Sequence, residues 1–121
     1  MKRALACLLS LSIALAAAAC DDNRPHRCRA AVYRVVKGTG DIERHIDRVV
    51  AYGVYALVEI EQQIHHAPAE ARARLVRATR RIGSPEALPL MRFLRTVEQD
   101  GTVLKELDAT LAALSAKKKK K

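Results

Sequence analysis

The sequence predicts an all-α protein built of antiparallel helix pairs, either a short solenoid or a small helical bundle. Three observations carry this. Apolar residues recur at steps of three and four along most of the chain. Helix-start and helix-stop residues punctuate those runs. The only short β-branched run is Tyr33-Arg34-Val35-Val36, too brief to build a sheet. With 121 residues, 50% of them hydrophobic, the chain has room for one domain.

The elements follow in order. Residues 28–36 read as a short helix, broken by Lys37-Gly38-Thr39-Gly40. Asp41 fits an N-cap. Ile42, Ile46, Val49, Val50, Gly53, Leu57, Ile60 and Ile64 then form a stripe over about 24 residues, which predicts one long helix ending near His66. Ala51, Val54, Tyr55 and Val58 add a second apolar face, so this helix is expected at the centre of the domain, packed on two sides. Gly53 inside it suits close helix approach. Pro68 or Ala69 opens the next helix, with Ala71, Leu75, Ala78, Thr79 and Ile82 on its apolar face and Gly83 as its stop. Ser84 and Pro85 open another, with the stripe Leu88, Met91, Leu94 and Val97. Asp100-Gly101 is a turn before a last helix bearing Val103, Leu104, Leu107, Leu111 and Leu114.

Net charge is +9, but its distribution matters more than its size. Lys2 and Arg3 sit at the start and five lysines at the end. Between Asp21 and Ala116 there are 15 cations against 13 anions. A body so nearly neutral, with only Tyr33, Tyr52, Tyr55 and Phe93 as aromatics, does not suit nucleic-acid binding.

Residues 1–19 have the layout of a removable export signal: Lys2 and Arg3, then 16 uncharged apolar residues ending in Ala16, Ala17, Ala18 and Ala19. That stretch is shorter than the roughly 20 residues a permanent span needs. No other segment is apolar for so long, so no transmembrane helix is expected in the mature chain.

Cys20 follows directly. The run Leu15-Ala16-Ala17-Ala18-Ala19-Cys20 resembles the lipobox of bacterial lipoproteins, with Ala17 where that family prefers Leu. The resemblance implies that the Cys20 thiol carries a diacylglyceryl group, that cleavage falls just before it, and that the mature protein is membrane-anchored in the cell envelope, facing the periplasm. Asp21 resembles an inner-membrane retention signal. Two or more acyl chains hold a protein stably on a bilayer. Cys7 would leave with the signal, and Cys28 would remain a single thiol. The alternative is a soluble periplasmic protein in which Cys20 and Cys28 form a disulfide. Residues 20–27 then read as a tether, 28–116 as the helical domain and 117–121 as a disordered polylysine tail.

Residues 75–114 carry a second resemblance. The Arg-Ile-Gly-Ser-Pro-Glu-Ala-Leu-Pro-Leu run, the Asp-Gly turn and the closing Ala-Leu-rich helix are similar to short bacterial HEAT-type repeats. That family implies helix pairs stacked in a right-handed solenoid. The chain holds roughly two such units, fewer than the three that usually bury a continuous core, so the ends of the stack are expected to meet a protein partner or a second copy.

Candidate functional residues are few. Arg74, Arg77 and Arg81 form a helical stripe opposite the apolar face, and Lys117, Lys118, Lys119, Lys120 and Lys121 form the tail; both suit anionic surfaces. His65 and His66 are adjacent and point about 100° apart on a helix, a poor chelate, so no metal or cofactor is expected. Glu43 and Asp47 share a face and alternate with Arg44 and Arg48, which suits surface ion pairing. No catalytic set is visible. The expected function is a non-enzymatic scaffold or adaptor at the membrane. In the alternative, the soluble protein holds an anionic ligand or lipid surface through its Arg face and Lys tail.

Overall fold

The computed structural model describes residues 23–120. Residues 1–22, which include the expected export signal and Cys20, and Lys121 lie outside the described residues. Within them the chain is all-α, a bundle of six helices with no strand: α1 Arg24–Lys37, α2 Ile42–Ala51, α3 Tyr55–Ile64, α4 Ala69–Ile82, α5 Leu88–Val97 and α6 Gly101–Lys119.

α1 begins at Arg24, four residues before the expected start, so the proposed tether shortens. Pro25 belongs in a first helical turn, where its missing N–H costs nothing. Cys28, Ala31, Val32 and Val35 then form the buried stripe. Asp41 caps α2 as expected, accepting the Arg44 N–H at 3.2 Å.

The expected long helix over 41–66 is two helices. Gly53 takes φ +60°, a left-handed conformation that ends α2 and lets α3 leave in a new direction. A side chain there would meet nothing within 4 Å, so the glycine serves the turn and not a close helix contact. Ile46 and Val49 in α2, and Ala56, Ile60 and Ile64 in α3, are buried. The second apolar face is not packed: Val54, Tyr55 and Val58 are 46%, 63% and 58% exposed.

The centre of the fold is α4. Its Ala71, Leu75, Val76, Ala78 and Thr79 are buried. Gly83 closes it at φ +73°, its N–H returning to Thr79 O. α6 packs along one flank of α4 and α2 along the other, while α1 and α3 also rest on it. Glu43 pairs with Arg77, and Asp47 with Arg81, so pairing advances in step and α2 runs parallel to α4. Arg72 with Glu98, just before α6, and Arg80 with Glu106 within it show the same for α6.

Ser84 opens a 3₁₀ turn, Pro85–Ala87, with its Oγ accepting the Glu86 N–H at 3.3 Å. α5 follows, burying Leu88, Met91 and Leu94. Val97, expected in that stripe, is 56% exposed. Asp100 caps α6 through the N–H groups of Thr102 and Val103. α6 continues to Lys119, so three of the expected tail lysines are helical. Lysine is a good helix former, and cations complement the negative end of the helix dipole. Lys117 Nζ also donates to Gly83 O at 3.3 Å, tying the end of α6 to the end of α4.

Candidate functional site

Each arginine of the α4 stripe bonds to a neighbouring helix. Arg74 Nε and Nη2 donate to Val35 O and Val36 O at 3.0 and 3.1 Å. A guanidinium there satisfies carbonyls that the end of α1 leaves unpaired. Arg77 pairs with Glu43. Arg81 Nη2 lies 2.6 Å from Asp47 Oδ1. The two carboxylates sit four apart on α2 and the two arginines four apart on α4, so both bonds form in one register. Glu43 and Asp47 therefore bridge helices instead of pairing with Arg44 and Arg48 on their own helix. All three arginines of the expected anion-contact stripe thus have partners on neighbouring helices, and the Arg77 and Arg81 pairs stand at the surface.

The other arginines of α4 are tied too. Arg72 makes a two-pronged bond to Glu98, both arms at 2.8 Å, and a third to Ala67 O at 2.8 Å. The Glu98 side chain is only 6% exposed. Its oxygen also accepts N–H groups of Gln99 and Asp100. The hydrogen bond from Arg72 holds the Glu98 carboxyl below its ordinary range, against the upward push of burial. Arg80 reaches Glu106 at 2.8 Å.

Cys28 is a free thiol within the core, 3% exposed. Burial first, then the nearby Glu59 charge, pushes its pKa up, so the thiol stays protonated and inert. The histidines do not converge: His65 meets Phe93 edge-on at 6.1 Å, and His45 Nε2 bonds Thr39 O at 3.0 Å in the α1–α2 loop. No group of three or more His, Cys, Asp or Glu among the described residues is placed to hold a metal.

What remains open is the surface around α1. A groove of about 440 Å³ between α1 and α2 is lined by Arg27, Ala30, Ala31, Arg34, Arg48, Ala51 and Tyr52. A second, of about 310 Å³ between α1 and α3, is lined by Arg24, Pro25, Cys28, Tyr55, Val58 and Glu59. Arg24 lies over the Tyr55 ring at 5.6 Å, and Lys37 over the Tyr33 ring at 5.5 Å. A third basic surface, at the far end of α6, joins Arg92 to Lys118 and Lys119. The α1 cluster escaped the sequence reading because Arg48 is remote in sequence from Arg27 and Arg34. The signal that was present is composition: α1 carries Arg24, Arg27, Arg29, Arg34 and Lys37 and no acidic residue.

No family model, curated protein or solved structure matches this chain. No helix among the described residues is long and apolar enough to cross a membrane.

Proposed function

We propose that the chain is an exported lipoprotein, held at the bilayer through Cys20, whose helical bundle is a non-enzymatic docking scaffold at the membrane surface. The observation that carries this reading is Cys20, at the end of the apolar leader and three residues before Asn23, the first described residue. Three residues span at most about 11 Å. An acylated Cys20 would therefore hold the start of α1 at the headgroups, with almost no tether.

The scaffold role draws on the unpacked apolar side chains. Tyr55 and Val58 on α3, and Phe93 and Val97 on α5, are each more than half exposed and available to a partner or a second copy. In this reading α4, α5 and α6 form a HEAT-like unit over residues 75–114, and the earlier helices a divergent one.

Acyl labelling tests the anchor. Cells producing the full chain are fed an alkyne-bearing fatty acid, and membranes are washed with high salt and then detergent. The labelled chain is expected to resist salt and to leave with detergent. Cys20→Ala is expected to lose the label entirely. An equally labelled Cys20→Ala chain, or an unlabelled parent, overturns the reading.

A further inference from the structure

We infer that the outer face of α1, together with Arg48 of α2, is a binding surface for the phosphates of anionic phospholipid headgroups. Arg27 and Arg34 lie two turns apart on α1, and Arg48 completes their groove from α2. The groove is floored by Ala30, Ala31 and Ala51, leaving room above the backbone, and no carboxylate lines it. Arg27, Arg34 and Arg48 make no side-chain hydrogen bond or ion pair among the described residues. The contrast with α4 is direct, since Arg72, Arg74, Arg77, Arg80 and Arg81 are all bonded within the fold.

Three unpaired guanidiniums around one depression repel one another, and a bound anion relieves that repulsion. The planar guanidinium fork matches phosphate geometry with two parallel N–H donors. Tyr33, 50% exposed on the outer side of α1, and Tyr52 in the groove supply rings with a polar tip, as residues at a membrane–water boundary do. The bilayer is favoured over a soluble anion by position. α1 starts at Arg24, where the segment bearing Cys20 joins the bundle. Only this placement rests on the anchored reading; the charge cluster stands without it.

The test uses the chain from residue 20 onward with Cys20→Ser, which carries no acyl group, so its result is independent of whether the natural protein is lipidated. Binding is measured by co-sedimentation with vesicles of phosphatidylcholine alone and of phosphatidylcholine mixed with phosphatidylglycerol. Binding is expected only to the mixed vesicles, and high salt is expected to abolish it. Each arginine near an anionic surface is worth about fivefold, so R27Q/R34Q/R48Q together are expected to weaken binding by about a hundredfold. These side chains are exposed and unpaired, so the variant should keep the parent's circular dichroism and unfolding midpoint. R27K/R34K/R48K, which keeps the charge but lacks the two-pronged fork, is expected to recover only part of the binding. Equal binding to neutral vesicles overturns the inference. So does a triple glutamine variant that binds like the parent, or a loss seen only when the terminal lysines are replaced by glutamine. Full displacement by inorganic phosphate at constant ionic strength assigns the groove to a soluble anion and also overturns it.

Discussion

Replacing Leu75 with alanine is expected to remove about 3–5 kcal/mol of stability, the range for a buried leucine whose cavity cannot collapse. Leu75 lies in the middle of α4 and is fully buried. α4 is the helix against which α1, α2, α3 and α6 all pack, so its neighbours cannot close on the void without giving up contacts elsewhere. A domain of this size has only about 5–15 kcal/mol in total. The variant should unfold at a much lower urea concentration with the slope of its transition unchanged, followed by far-ultraviolet circular dichroism. Val97→Ala is the matched control: that side chain is 56% exposed and should cost almost nothing. A Leu75→Ala loss below about 1 kcal/mol would mean that α4 is not the centre of the core.

The second large effect concerns Arg72 and Glu98. One carboxylate holds the start of α4 to the turn between α5 and α6, because Glu98 accepts both arms of Arg72 and two N–H groups of its own loop. Arg72→Ala leaves a nearly buried carboxylate without its cation, and the expected cost is about 3 kcal/mol at neutral pH. The dependence on pH has a definite sign. Glu98 is held below its ordinary pKa, chiefly by the hydrogen bond from Arg72. Its contribution is therefore complete above the unfolded value of about 4.3 and is lost as pH falls through the depressed native value. In Arg72→Ala, acid neutralises the stranded carboxylate and relieves the penalty. The gap in urea midpoint between parent and variant should thus shrink below about pH 4. A gap that is constant across that range would show that Arg72 acts through packing and not through the ion pair.

Much of the fold was legible because local signals and packing agree. Asp41, Ser84 with Pro85, Gly83 and Asp100 sit at the helix ends their chemistry suits. The turn at Gly53 was not legible, since the spacing of apolar residues runs through it unbroken. Only its left-handed backbone separates α2 from α3. The interhelical partners of the α4 arginines were not legible for a related reason. A helical wheel distinguishes an apolar face from a polar one, but it does not reveal that other helices occupy both flanks. Arg74, Arg77 and Arg81 reach around those flanks to carbonyls and carboxylates at sequence separations of 34 to 39. The same blindness hid the α1–α2 groove, whose three arginines meet only once the Gly38–Asp41 loop turns the chain back.

Those corrections bear on the proposed function. A first helix that starts at Arg24 lies four residues from Cys20 in sequence, so a protein anchored there would sit close to its membrane. In the proposed arrangement, α1 with Arg48 is the basic face nearest that surface. The lysines of α6 are also partly engaged, with Lys117 closing onto Gly83.

The intact mass of the chain purified from membranes, beside that of Cys20→Ala, tests the anchor most directly. A chain that begins at residue 20 and carries added acyl mass, absent from the variant, is the expected result. A chain without added mass contradicts the account; if it is also two hydrogens lighter than its reduced form, Cys20 and Cys28 are joined and the protein is not anchored through Cys20.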